Sequence, residues 1–178
     1  LAPHVDLEAA VCLPNYQVAQ ALLQECGHPR APRSVLVVGA AGGVGHFGVQ
    51  IAKAAGAHVT GVCSARNAEL VAGLGADAVV DYAKTTNYNE GGDFDVILDC
   101  VGGEGAGRFT PWLKPNGVYA STLPDAGVIL RQVGYTLLGK RRVRGVMVKP
   151  VGADLRHIGR LWTEKKLRVV IDEVFPQI

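Results

Sequence analysis

The residues with the clearest chemical purpose are Gly39-Ala40-Ala41-Gly42-Gly43-Val44-Gly45. They follow a short apolar run, Val35-Leu36-Val37-Val38, and precede a stretch with helical spacing. Glycines there let the chain turn sharply and let a bound diphosphate approach the backbone. The free N–H groups opening the helix then face the phosphate oxygens, and the helix dipole favours the anion. A dinucleotide site of this kind that selects NAD usually places Asp or Glu about 20 residues past the loop, on the ribose hydroxyls. That position falls at Ser64, within Val62-Cys63-Ser64-Ala65-Arg66-Asn67, and no acid occurs from Ala57 to Ala68. A hydroxyl and a guanidinium suit a 2′-phosphate that a carboxylate would repel. Ser64 and Arg66 therefore predict NADP(H) over NAD(H).

Other chemistries fit less well. A methyltransferase with a glycine loop wants the same missing acid. The Tyr with Lys four positions on, used by short-chain dehydrogenases as proton donor, is absent: Tyr82, Tyr119 and Tyr135 are followed at that distance by Thr86, Leu123 and Gly139. Cys12, Cys26, Cys63 and Cys100 form no C-x-x-C pair, and His4, His28, His46, His58 and His157 are scattered, so no metal site is expected. The thiols read as buried or half-buried groups of a reducing compartment. His46 is read as a solvent-facing helix residue, and Cys63 as a buried thiol.

The elements that must position these groups alternate along the chain. A lead-in from Asp6 to Cys26 has helical spacing and is divided at Pro14-Asn15. Strands are expected at 35–38, 58–62, 78–80, 94–98, 117–120 and 143–148. Helices are expected at 44–55, 67–74, 103–113, 128–138 and 154–165, and a last extended piece begins at Val169. Six strands alternating with helices predict an α/β, Rossmann-type, doubly wound parallel sheet with helices on both faces, in the order 3-2-1-4-5-6. Glycine is abundant, 23 of 178 residues, without a collagen period. At 48% hydrophobic and 19% charged residues the chain is expected to fold as a globular domain. A net charge of +2 gives no reason to expect a nucleic-acid partner. Ser34 to Ala52 carries no charge, but its glycines and its change of period read as strand and helix rather than a membrane span. The opening Leu1-Ala2-Pro3-His4 does not read as a signal peptide, so a cytoplasmic protein is expected, with an organelle matrix as the other compartment the sequence allows.

Taken together, Gly39 to Gly45, Gln50-Ile-Ala-Lys53, Gly56-Ala-His-Val-Thr60, Cys63-Ser64, Leu74-Gly-Ala-Asp77 and Val80-Asp-Tyr82 resemble the cofactor-binding domain of the medium-chain dehydrogenase/reductase superfamily. Asp99 to Gly103, Leu113 to Gly117 and Lys166 to Asp172 have counterparts there too. The branch they resemble is that of the zinc-independent quinone oxidoreductases, including zeta-crystallin-like and reticulon-interacting reductases. The resemblance implies residues 1–32 as a helical lead-in and linker from a catalytic domain outside this sequence, and 33–178 as the NADP-binding domain. It implies hydride transfer from NADPH to a quinone or α,β-unsaturated carbonyl in a cleft between two domains, with the isolated portion inactive. It places the diphosphate on Ala41, Gly42, Gly43 and Val44, and the 2′-phosphate near Ser64, Arg66 and Tyr82. It runs the dinucleotide past Cys100, Val101, Thr122 and Leu123, and sets the nicotinamide against the backbone of Val146 and Val148. No catalytic residue is assigned. It also implies a homodimer through the sixth strand, whose approach Lys140-Arg-Arg-Val-Arg144 would flank. A non-catalytic NADPH-binding module, or a zinc-dependent alcohol dehydrogenase with its metal elsewhere, are the alternatives.

Overall fold

In the computed structural model the described residues are 14–20, 33–89, 92–103, 105–122, 130, 134, 142–145, 160, 162–165 and 167–172. The first described element is a helix over residues 14–20 (α1). It continues through β1 (Ser34–Val38), α2 (Gly45–Ala54), β2 (His58–Cys63), α3 (Ala68–Gly73), β3 (Ala78–Asp81), β4 (Phe94–Asp99), α4 (Gly105–Phe109), β5 (Leu113–Ser121) and β6 (Arg142–Gly145). The strands form one sheet in the order β3-β2-β1-β4-β5-β6, every pair parallel. That is the expected order, with its reversal between β1 and β4.

The continuous apolar run of β1 follows from burial on both faces. Val35 and Val37 point to one side, with Val59, Val96, Leu98 and Ala120, and meet Val49 and Ala52 of α2 and Val71 of α3. Leu36 and Val38 point to the other, with Ile97 and Tyr119, and meet Ala106 and Phe109 of α4. Successive strand residues alternate faces, so each face needs its own helical cover. A third cluster joins Tyr16 and Ala19 of α1, Phe47 of α2 and Leu167. Beside it Gln50 brackets the backbone of Arg168: its Nε2 donates to the carbonyl at 2.9 Å and its Oε1 accepts from the amide at 2.8 Å.

Several expected boundaries move. β5 begins at Leu113 rather than Gly117. It pairs once, Leu113 with Phe94, then slips register and pairs again from Val118 with Val96. Pro115 and Asn116 are exposed in this irregularity, where a proline costs no ladder hydrogen bond. Lys114 is held there by Ser34 Oγ at 2.9 Å and Asp95 Oδ2 at 3.0 Å. The helix expected over 103–113 is only Gly105–Phe109, followed by a 3₁₀ turn, Thr110–Trp112, in which Pro111 occupies a first-turn position. The helix expected from Asn67 is preceded by a 3₁₀ turn, Ala65–Asn67. β6 is seen over Arg142–Gly145, and the rest of the strand expected to 148 lies outside the described residues. So does most of the helices expected at 128–138 and 154–165.

Candidate functional site

The glycine loop lies at the carboxyl ends of β1 and β2. Gly39 takes a positive φ of 77°, which turns the chain out of β1. The amides of Gly39 and Ala40 both donate to Val62 O, at 3.0 and 2.9 Å, which pins the loop to β2. Gly42 N–H donates to Gly39 O at 2.9 Å, and His46 N–H to Gly42 O at 3.0 Å, so the loop winds directly into α2. A Cβ at Gly45 would run into the Gly39 carbonyl oxygen, which fixes that position as glycine. Gly42 and Gly43 are exposed, and the first turn of α2 carries no acid. The backbone amides of Ala41, Gly43 and Val44 have no acceptor among the described residues. Exposed, unpaired donors at the start of a ten-residue helix suit an anion.

His46 corrects the expectation of a solvent-facing residue: it is buried, at 3% exposure. Its Nδ1 lies 3.0 Å from Gly42 O and in the neutral ring donates to it. Its ring tilts over Phe47, with 3.8 Å between centroids. Nε2 has no hydrogen-bond partner among the described residues. Burial lowers the His46 pKa, outweighing the backbone carbonyl contacts that raise it. His46 is buried beside Phe47, the residue that packs on α1, and local spacing alone does not reveal it.

The end of β2 carries the half-buried Ser64 and the exposed Arg66, the latter within the 3₁₀ turn. Arg66 makes no ion pair among the described residues. Tyr82 follows β3 directly, its amide donating to Cys63 O at 3.2 Å, and its side chain is 56% exposed. Ser64, Arg66 and Tyr82 thus come from two adjacent strand ends.

Between these groups and the loop after β4 lies a cavity of about 450 Å³. Its walls include Val38, Gly39, Val62, Tyr82 and Val101 at the strand ends. Its floor includes Thr86, Tyr88, Arg108 and Phe109. Arg108 donates to Thr86 O at 2.9 Å and lies over the Tyr88 ring, 4.8 Å from the centroid. No local sequence pattern marks these residues as a site. Tyr88 stands in a polar stretch with no period, and only the tertiary fold brings it to α4.

The loop after β4 is set by a buried carboxylate. Asp99 Oδ1 accepts from the amides of Val101 and Gly102, at 3.1 and 2.9 Å, and Oδ2 from Tyr119 OH at 2.7 Å. Cys100 N–H donates to Val38 O at 3.1 Å, and Thr122 N–H to Asp99 O at 3.2 Å. The Cys100 thiol is pushed up to about 12 by burial and by the neighbouring Asp99 charge, which favours its protonated form at neutral pH. Cys63 is buried, as expected.

Of the residues expected at the site, Ala41, Gly42, Gly43, Val44, Ser64, Arg66, Tyr82, Cys100, Val101 and Thr122 all gather along the carboxyl edge of the sheet. Leu123, Val146 and Val148 lie outside the described residues. The order reversal between β1 and β4, with a glycine loop and a cavity beside it, defines a doubly wound, Rossmann-type domain. The family described as zinc-binding dehydrogenase matches residues 74–177, and the chain belongs to it, within the medium-chain dehydrogenase/reductases.

A chloroplast envelope quinone oxidoreductase homolog from Arabidopsis thaliana is 34% identical over 148 residues, covering 80% of this chain and 45% of that protein. The mitochondrial NAD(P)H oxidoreductase RTN4IP1 of Danio rerio is 33% identical over 170 residues, covering 82% and 43%. The solved quinone oxidoreductase from Coxiella burnetii superposes with a TM-score of 0.77 at 28% identity, covering 88% of this chain and 49% of that one. The chain thus spans about half the length of the relatives it matches. Among the described residues no three His, Cys, Asp or Glu side chains converge as a zinc ion would require. No described helix is long and apolar enough to cross a membrane.

Proposed function

We propose that this chain is the NADPH-binding portion of an oxidoreductase that delivers hydride to a quinone or an α,β-unsaturated carbonyl. The observation that carries the cofactor reading is the end of β2. There Ser64 and an exposed Arg66 with no ion pair among the described residues replace the acid that would hold an unphosphorylated ribose. The glycine loop fits the diphosphate: its Ala41, Gly43 and Val44 amides have no acceptor among the described residues, and Gly42 and Gly43 leave the backbone open to it. The cavity, lined by Val38, Val62, Tyr88, Val101 and Phe109, offers a mainly apolar wall to the adenine, with Val101 exposed at it. Bound NADPH supplies a hydride; the chain's own residues anchor, orient and screen it.

The substrate reading rests on the relatives named above as quinone oxidoreductases. A quinone is itself a doubly unsaturated carbonyl, so one hydride chemistry serves both substrate classes. Cys63 and Cys100, both free, accord with the reducing interior of cytoplasm or an organelle matrix.

The test is calorimetric titration with NADPH and with NADH. Wild type should prefer NADPH, and Arg66→Ala should weaken NADPH binding about tenfold while leaving NADH unchanged, the loss of one charge-assisted contact. Equal losses for both nucleotides would remove Arg66 from the 2′-phosphate. The full-length protein, assayed with enones and quinones, then tests turnover and separates an enzyme from a binding module.

A further inference from the structure

The helix before the sheet reaches the glycine loop. Asn15, the second residue of the helix over 14–20, lays its side-chain amide against Gly43: a Cβ at that glycine would sit 2.9 Å from Asn15 Nδ2 and 3.5 Å from its Cγ. The backbone conformation of Gly43 does not demand glycine, since its φ is not positive. An added Cβ would instead displace the Asn15 amide, the movable end of its side chain.

Asn15 is half-buried and carries two N–H donors. Neither it nor its carbonyl oxygen makes a hydrogen bond to any described residue. Its amide is not among the buried polar atoms left without a partner, so its donors remain open to solvent and to a ligand. Next to it stand the amides of Ala41, Gly43 and Val44, which have no acceptor among the described residues. The helix bearing Asn15 is seated on α2 through Tyr16 and Ala19 against Phe47, with Tyr16 meeting that ring edge-on at 5.6 Å between centroids. The amide is thus held in register with the loop by packing rather than by chance exposure.

We propose that Asn15 is a cofactor-binding residue: its side-chain amide adds a donor to the diphosphate cradle of the glycine loop, across Gly43. This rests on the reading of the loop as a dinucleotide site and deepens it. It makes the segment before the sheet part of the anion site, and it supplies a donor that the loop backbone does not have. The contact is to diphosphate oxygens, so inorganic pyrophosphate carries the same chemistry and serves as a probe that needs no nicotinamide or adenine.

The experiment follows the Asn15 side-chain NH₂ resonances by ¹⁵N–¹H NMR while pyrophosphate, then NADPH, is added to the whole chain. Dissociation constants are measured in parallel for wild type, Asn15→Ala and Asn15→Asp. The NH₂ pair should move on adding either ligand. Asn15→Ala should weaken both about 3- to 10-fold, the share of one hydrogen bond. Asn15→Asp keeps the shape but sets a negative charge by the anion, and should weaken both more than Ala does, with a loss that shrinks as salt is raised. Gly43→Ala pushes on the amide and should weaken wild type but add little in the Asn15→Ala background. Thermal midpoints of the variants keep a folding defect apart from a binding one.

Still resonances with unchanged constants would overturn the proposal, as would Asn15→Asp binding pyrophosphate as wild type does. A wild type that binds neither ligand would overturn it too. Pyrophosphate bound through Asn15 without NADPH binding would instead retain the proposal and sink the nucleotide reading.

Discussion

At the scale of single residues, His46 has a consequence for pH. Burial favours its neutral ring, so its pKa in the folded chain lies below the ordinary value of about 6.5. In mild acid the unfolded chain therefore binds more protons than the folded one, and stability rises with pH across that window. The contribution is complete above about pH 6.5 and drains away as pH falls toward the folded value. Asn at this position can still donate to Gly42 O but does not titrate. His46→Asn should lose less stability than wild type between about pH 7.5 and about pH 5, read from urea midpoints at each pH. Equal losses would show that the drop arises elsewhere.

At the scale of elements, the junction of loop and α2 tolerates no added atom on one side and some on the other. Gly45→Ala would drive a methyl group into the Gly39 carbonyl and the Ala40 backbone. It should cost about 1–3 kcal/mol and abolish nucleotide binding, because loop and helix can separate only by moving the amides. Gly48→Ala, one turn along, would meet Leu98 Cδ1 at 3.4 Å and Val37 Cγ1 at 3.7 Å, ordinary contacts. It should be neutral or stabilising by up to about 1 kcal/mol through helix propensity. Thermal unfolding of the two variants checks the contrast, and similar shifts would refute it.

The same junction shows what was legible in the sequence. The glycine loop was, because backbone geometry dictates its residue types locally. So was the β-α alternation, since a parallel strand buried on both faces must read as an apolar run such as Val35–Val38. The start of β5 was not: Lys114-Pro115-Asn116 looks like a turn, and it joins the strand only through its register slip beside β4. The burial of His46, the cavity floor at Tyr88 and Arg108, and the approach of Asn15 to Gly43 were not legible either. Each depends on a segment far away in the chain, and local period carries no trace of it.

At the scale of the whole molecule, β6 is the outer strand of the sheet beyond β5. Its residues Arg142–Gly145 are paired on the β5 side, and no described strand covers the other. An open edge recruits a strand, and a second copy of the chain supplies one by two-fold symmetry. We propose a homodimer through that edge. Light scattering at high concentration should give twice the chain mass, and a proline at Val143 should shift it toward monomer. A monomeric mass at every concentration would discard the pairing.

The cluster beneath α2 carries a mechanical meaning. The earliest described segment, residues 14–20, and the latest, residues 167–172, both rest on this one helix, through Tyr16 and Ala19 on one hand and Leu167, Val169 and the Gln50 bracket on the other. A pull applied at either of these two described segments acts directly on the flank of α2. Tension at those points arrives at the helix that presents the anion cradle.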